Sequence, residues 1–356
     1  MNESWMDFLK YSIHEDMEQP ISVNDIDWQS LLAFMRKQTL IGVMMHGMNK
    51  LKGVKIPREI IKKTFVYSEQ VRQKNKMLYK KSVDVVEQYR IAGFECCILK
   101  GQGNAMMYPD SYMRMPGDID VWVKGPREQI IQYVKQHYPQ ADLRYYHAEY
   151  HDDGVSVEAH FMPGIMNNPI YNNRLQRYYA EMQDQQCSHW VELPDGMGKI
   201  PVPTSDFNVI FQLSHMMHHF FDEGIGLRQM LDYYYLLKQA GKDLRIEKLK
   251  DLSTMLQYLN LYHFAGAVMY VMREAFGMPD EWMIVSVDEK RGRKLMSEIM
   301  RGGNFGHYSG LTNHRTATKY MLKSWRNIQL IRDYPAEAFA EPLFRTFHFF
   351  WRNKRN

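Results

Sequence analysis

The chain has 356 residues, of which 45% are hydrophobic and 24% are charged, and its formal net charge is only +4. This length allows a sizeable core and more than one domain. The near-neutral charge does not favour binding of a nucleic-acid template through bulk electrostatics. No run of about 18 apolar residues occurs, so neither a membrane span nor a membrane partner is expected.

Three cysteines, Cys96, Cys97 and Cys187, form no CxxC pair and no disulfide framework. The N-terminal residues also lack the basic and then apolar pattern of a secretion signal. Both features predict a reducing, cytoplasmic location.

The first region, residues 1–90, is predicted to be helical. Apolar residues recur at helical spacing from Trp28 to Met48, which predicts helical structure there. A long, charged helix is expected to begin at Ile56-Pro57 and to end near Gly93, because proline favours the first turn of a helix and glycine its end.

The second region, residues 91–204, has an α/β pattern. Phe94–Leu99 is a short apolar run, and Gly117–Val123 alternates strictly, as a half-buried strand does. The other predicted elements are helices over Gln102–Tyr108, Pro126–His137 and Tyr171–Gln183, strands over Ala141–Tyr146 and Val155–Phe161, and a hairpin of Cys187–Leu193 with Lys199–Val202.

The third region, residues 205–356, is predicted to be helical, with breaks near Gly224, Gly241, Gly277 and Gly302. The whole chain is therefore predicted to be an α+β protein. Its sheet would lie between helical N-terminal and C-terminal regions.

Two acidic residues share one face of the strand over Gly117–Val123. Side chains alternate along a strand, so Asp118 and Asp120 point away from the core that Ile119 and Val121 enter. Two neighbouring carboxylates repel each other, and a bound cation, a cationic partner or solvent must compensate them. Hard divalent ions such as Mg²⁺ are commonly held by such a pair.

Glu158 lies on the polar face of a later strand, together with Ser156 and His160. If this strand pairs beside the first, Glu158 joins Asp118 and Asp120, and the three carboxylates make a two-metal site. Glu158 could also be the general base for an attacking hydroxyl. Acidic alternation also occurs on solvated sheet faces, so the pattern by itself leaves a purely structural role open.

A turn with the sequence Lys100-Gly101-Gln102-Gly103 precedes the acidic strand. Glycine lets the backbone approach a phosphate closely, and free N–H groups at the start of a helix attract anions. Lys100 adds a positive charge at the same edge. The turn is therefore predicted to bind phosphate, although a plain strand-to-helix turn would have the same pattern.

Together these motifs resemble the bacterial branch of uncharacterised nucleotidyltransferases in the polymerase-β-like superfamily. The resemblance spans residues 90–240 and is carried by Leu99-Lys100-Gly101, Tyr108-Pro109, Arg114, Gly117–Val121 and Val157–Phe161. It implies a nucleotidyltransferase core with a mixed sheet, two divalent metals and a nucleoside triphosphate donor.

The resemblance also implies roles for individual residues. Asp118 and Asp120 match the paired metal ligands, Glu158 matches the third carboxylate, and the phosphate-side turn is matched by Lys100, Gly101 and Gly103. The chain departs from the superfamily in two ways. Gln102 stands where a serine usually follows the glycine, so Lys100 or Gln102 could replace the usual hydroxyl contact. Glutamate stands at position 158, where aspartate is common.

Further residues have two interpretations each. Arg114 could bind phosphate or neutralise the acids, or be a surface-loop arginine. The segment Gly224–Asp232 is similar to a second feature of the same family, which implies that Arg228 reaches the nucleotide or acceptor; an i, i+4 salt bridge to Asp232 is the alternative. His160 and Asp232 are expected to orient the residues of the site, although His160 could also be an exposed polar residue.

Three histidines, His215, His218 and His219, fall on one predicted helix over Phe207–Phe221. The i, i+4 spacing of His215 and His219 can bind zinc when a third ligand is present. Packed or hydrogen-bonded histidines are the favoured interpretation.

We therefore expect a metal-dependent nucleotidyltransferase that uses two Mg²⁺ or Mn²⁺ ions. It would transfer a nucleoside monophosphate from a triphosphate such as ATP to a small molecule, a sugar or a protein, with release of pyrophosphate. The first alternative is a non-catalytic nucleotide-binding module on the same fold. The second is a metal-dependent hydrolase built around His215, His218 and His219.

Overall fold

The computed structural model describes residues 2–241, 246–304, 323 and 325–355. Its N-terminal part is helical, as predicted, and consists of α1 (Glu3–Ile13), α2 (Trp28–Lys37), α3 (Ile41–Lys50) and the long α4 (Arg58–Ile91). The helical structure predicted over Trp28–Met48 is confirmed, and it is divided into the two helices α2 and α3. Thr39 takes a φ of +56°, a left-handed conformation that ends α2 and separates it from α3.

The central sheet of the described residues has five strands: β1 (Cys96–Leu99), β2 (Ile119–Val123), β3 (Asp142–Leu143), β4 (His147–Asp152) and β5 (Val155–His160). Their order across the sheet is β1-β2-β5-β4-β3. β2 and β5 are parallel, and every other neighbouring pair is antiparallel. This mixed sheet, with helices on both sides of it in the chain, confirms the α+β class.

Helices and a hairpin complete the central region: α5 (Gly101–Ala105), α6 (Arg127–His137), α7 (Pro169–Ser188), β6 (Trp190–Glu192) and β7 (Lys199–Pro201). The start of α7 is well specified, because the Asn168 side chain accepts hydrogen bonds from the N–H groups of Ile170 and Tyr171. The strand predicted over Ala141–Tyr146 was wrong in extent. Only Asp142 and Leu143 form a strand there.

The C-terminal region is helical, as predicted, and contains α8 (Ser205–Asp222), α9 (Leu227–Ala240), α10 (Ile246–Tyr258), α11 (Tyr262–Phe276), α12 (Glu289–Gly302) and α13 (Pro335–Arg355). The predicted breaks near the four glycines coincide with the ends of these helices. Parts of this region, residues 242–245, 305–322, 324 and 356, lie outside the described residues. Among the described helices, none is both long enough and apolar enough to cross a membrane.

Two hydrophobic cores hold these elements together. One lies on the sheet face formed by residues such as Ile119 and Val121, and it is covered by Val85 and Tyr89 of α4. The other joins α1–α3 to α8, α9 and α11. Thus α4 packs on the sheet although nearly all of it lies in the region 1–90. The division into regions 1–90, 91–204 and 205–356 stays a prediction.

The second face of the sheet is also buried along β2, which corrects the expectation of a half-buried strand there. β2 is buried along its whole length, and Asp120 is only 3% exposed. Trp122 shares this face and stacks on Phe207 of α8, with the ring centroids 5.6 Å apart. A tryptophan there needs apolar cover, which α8 supplies. The acids therefore lie in a partly buried site beneath α8.

Gly42 of α3 packs closely against the loop that leads into β2. A Cβ atom at this position would lie 2.1 Å from the carbonyl oxygen of Met113. Real Cβ atoms do not approach a backbone oxygen so closely, so either α3 or the loop would have to move.

We predict that Gly42→Ala lowers the free energy of unfolding by about 1–3 kcal/mol, the usual effect of overpacking. Urea denaturation would measure it. Gly302→Ala is the matched control, because a Cβ atom there meets no heavy atom within 4 Å. Equal stabilities of the two variants would contradict the close approach at Gly42.

Candidate active site

The parallel pairing of β2 with β5 brings the predicted acids together. Asp120 of β2 lies opposite Glu158 of β5, and on the other side of β5 His147 of β4 lies opposite His160. Residues paired across neighbouring strands point to the same face of a sheet. The predicted pairing of the two acidic strands is therefore confirmed, and two imidazoles stand beside the carboxylates.

Two cationic groups lie against these carboxylates. The Lys100 ammonium is 2.8 Å from Oδ1 of Asp120. Nε2 of His160 is 3.0 Å from the same Asp120 oxygen and 3.2 Å from Oε2 of Glu158. Burial opposes both positive charges, but the carboxylates outweigh it. They raise the pKa of Lys100 above its usual value and that of His160 to about 9.

Asp118 lies just before β2, two residues ahead of Asp120, and is half-buried. Burial raises the pKa of its carboxyl, and the neighbouring charges of Asp120 and Glu158 raise it further. The pKa of Asp120 is instead lowered: burial opposes its charge, but Lys100 and His160 stabilise it. The three carboxylates thus interact strongly with one another, as expected of groups that share a site.

The turn after β1 presents some of its predicted residues to the site and turns others away. Lys100 has φ +51° and ψ −122°, a strained conformation for a residue with a side chain. Gln102 is buried and directs its amide nitrogen towards the carbonyl oxygen of Asp118, 3.4 Å away. A Cβ atom on Gly103 would lie 3.0 Å from Val202, so this glycine serves packing against the hairpin.

Arg114 is buried, which rules out the surface-loop interpretation. Its Nε and Nη2 atoms donate to the two carboxylate oxygens of Asp232 at 2.8 and 2.7 Å. Tyr108 donates to the same carboxylate at 2.7 Å. Asp232 therefore pairs with Arg114, and Nη1 of Arg228, the partner in the salt-bridge alternative, donates to the carbonyl oxygen of Met115. Arg114 anchors α9 to the loop before β2.

A cavity of about 510 Å³ opens above the acids, a volume within the range of small-molecule sites. Of the residues predicted from the sequence, it is lined by Lys100, Gly101, Arg114, Asp118, Asp120, Glu158, His160, Arg228 and Asp232. Gln102 and Gly103 are not part of the lining formed by the described residues. Their predicted contact with a nucleotide therefore finds no support in the geometry.

The three histidines of α8 also line the cavity. Nε2 of His215 lies 3.1 Å from the Lys100 ammonium, and the rings of His215 and His219 are 4.3 Å apart, edge to face. Burial, followed by the charge of Lys100, lowers the pKa of His215 well below its usual value. His215 is thus a neutral partner that can accept a hydrogen bond from Lys100.

His147 is a site residue that the sequence interpretation did not select. The residue is only 4% exposed and lines the cavity, and its Nδ1 lies 3.6 Å from Oε2 of Glu158. The signal was present, since His147, Glu149 and His151 alternate with the buried Ala148 and Tyr150. The predicted strand over Ala141–Tyr146 ended just before His147, so His147 was not assigned to a strand.

We predict that Arg114→Ala lowers the free energy of unfolding by about 3–5 kcal/mol, because it leaves the buried Asp232 carboxylate without its ion-pair partner. Chemical denaturation would measure the loss, with the exposed Arg58→Ala as a control expected to change stability by less than about 0.5 kcal/mol. Adding Asp232→Asn to Arg114→Ala should recover part of it. Similar stabilities of the Arg114 and Arg58 variants would contradict this structural role.

The chain matches the family described as an uncharacterised nucleotidyltransferase over residues 24–277, well over half of its length. No curated protein matches it at a significant level. The matched residues include the turn after β1, both acidic strands and the helices α8 and α9 that cover them. The chain therefore belongs to this uncharacterised nucleotidyltransferase family, and it is a transferase of phosphorus-containing groups.

Proposed function

We propose that the protein transfers a nucleoside monophosphate from a nucleoside triphosphate to an acceptor, with release of pyrophosphate and in dependence on divalent metal ions. The observation that supports this most is the pairing of Asp120 with Glu158 on parallel strands, where both carboxylates line the cavity. The acceptor would be a small molecule, a sugar or a protein group. Membership of the polymerase-β-like superfamily is part of this proposal.

The acidic groups fit hard divalent cations. Asp118, Asp120 and Glu158 offer only carboxylate oxygens, which are the ligands that Mg²⁺ and Mn²⁺ prefer. Three carboxylates face two cationic groups, Lys100 and His160, so these five groups retain a negative charge. When bound, two such ions would neutralise the triphosphate and lower the pKa of the attacking hydroxyl.

Lys100 and Gly101 are the residues of the turn that would contact the triphosphate. Both line the cavity, and the Lys100 ammonium lies directly against Asp120. Since Gln102 points away, Lys100 is the better substitute for the usual hydroxyl contact. Arg228 lines the same cavity and would bind a phosphate or the acceptor.

In the proposed reaction, an acceptor oxygen forms a bond to the α-phosphorus while the bond from this phosphorus to the bridging oxygen breaks. Pyrophosphate carries away the bonding electron pair. Glu158 would take the proton of the acceptor hydroxyl, as a carboxylate within the site can. The protein would contribute mainly position and charge, because both are already arranged in the cavity.

A second candidate function is nucleotide binding without transfer. It is favoured by the orientation of Gln102, whose amide contacts the backbone of Asp118 rather than the cavity. The usual hydroxyl of the turn is thus not replaced by this side chain. Metal-dependent nucleotide binding without pyrophosphate release would support this candidate.

We predict that Asp118→Asn, Asp120→Asn and Glu158→Gln each lower pyrophosphate release by at least about a hundredfold, because each removes a charge that acts on the transferred group. The assay would use labelled triphosphates, Mg²⁺ or Mn²⁺, and fractionated cytosolic acceptors. Asp16→Asn, the same change at an exposed position, is the control. Full activity of the Asp120 variant would refute the proposed site.

We also predict that Lys100→Met weakens triphosphate binding by about tenfold or more, since it removes a charge-assisted contact. Equilibrium dialysis with Mg²⁺ would measure this. Lys124→Met is the matched control, because Lys124 follows the opposite end of β2 and pairs there with Glu95. If the two variants bind the nucleotide equally well, Lys100 is not a phosphate ligand.

A further inference from the structure

The cavity contains a second group of possible metal ligands, which differs in chemistry from the three carboxylates. His147 of β4 and His160 of β5 flank Glu158, and ligand atoms of the three residues all lie within 4.8 Å of one another. The two imidazole rings face each other across paired strands, with their centroids 5.0 Å apart. Two nitrogen donors and one carboxylate oxygen therefore converge beside the acidic pair.

His160 is held in the orientation that a metal ligand needs. Its Nδ1 lies 3.2 Å from the carbonyl oxygen of Met162. A carbonyl oxygen can only accept, so Nδ1 carries the proton of this hydrogen bond. Nε2 faces the carboxylates of Asp120 and Glu158 and donates a proton to them. A metal ion bound at Nε2 would displace that proton and leave the imidazole neutral. Metal-binding histidines commonly donate their second ring nitrogen to a backbone carbonyl, which sets the tautomer and the ring orientation.

Hydrogen bonds within the described part of the protein satisfy both ring nitrogens of His160 but leave Nδ1 of His147 without a partner. Nδ1 of His147 is buried, and no described residue forms a hydrogen bond with it. The nearest oxygen of Glu158 is 3.6 Å away, too far for a good hydrogen bond. A buried polar atom without a partner is costly. A metal ion bound between His147, Glu158 and His160 would satisfy it.

We propose that His147, Glu158 and His160 bind a divalent transition-metal ion, in a site that shares Glu158 with the carboxylate group. Imidazole ligands favour ions such as Zn²⁺, Co²⁺ and Fe²⁺, whereas Mg²⁺ prefers oxygen ligands. Three protein ligands leave coordination positions open towards the cavity, as in catalytic sites with two histidines and one carboxylate. An oxygen of the acceptor could occupy such a position.

The binding of Co²⁺ to the purified, chelator-treated protein would test this site, because its visible absorption reports on ligands and geometry. We expect one Co²⁺ per chain that an excess of Mg²⁺ does not displace. His147→Asn should weaken Co²⁺ binding by about tenfold or more, since even an outer-shell change has such an effect. His219→Asn is the matched control: it removes an imidazole of the same cavity that is not one of the three ligands.

X-ray absorption of the Zn²⁺-loaded wild-type protein is a second measurement that does not depend on how well a variant folds. Two imidazole ligands with oxygen completing the shell are expected. Oxygen ligands alone, no Co²⁺ binding, or loss of binding in the His219 variant with retention in the His147 variant would each overturn the site. Metal binding is measured without nucleotide. Its outcome therefore does not depend on whether the protein transfers a nucleoside monophosphate.

Discussion

The parallel pairing of β2 with β5 beneath α8 is the constraint on which the site depends. Backbone hydrogen bonds place Asp120 beside Glu158, so the two carboxylates cannot relieve their repulsion by moving apart. The stacking of Trp122 on Phe207 brings α8 over the same face and reduces its exposure to water. Charges that water screens less strongly are stabilised by neighbouring charges of opposite sign.

The surrounding residues supply that compensation, and one of them, Lys100, does so from a strained backbone conformation. Lys100 reaches Asp120 from a strained backbone position directly after β1. His160 contacts both acids while its other nitrogen is held by the backbone. Strain that is maintained by the surrounding structure is typical of functional sites. These features indicate a site whose charges are arranged before any substrate enters.

A second network fixes the walls of the cavity. The ion pair of Arg114 with Asp232, together with the hydroxyl of Tyr108, joins the loop before β2 to α9. Buried, fully hydrogen-bonded networks of this kind hold one arrangement rather than several. The ion pair thereby holds β2 and α9, the helix that carries Arg228, in a fixed relative position. Membership of a nucleotidyltransferase family gives this arrangement its chemical context.

The sequence by itself determined most of the elements, although not β4, and it singled out the three acids. Strict alternation around Asp118 and Asp120 and around Glu158 was enough to assign each side chain to a face, because the period of a strand is local. Only the tertiary structure decided that this face is buried, that Asp232 pairs with Arg114, and that His147 joins the site. Each of these depends on which distant segment covers or pairs with the strand. That choice is made by packing over the whole chain, which no local pattern encodes.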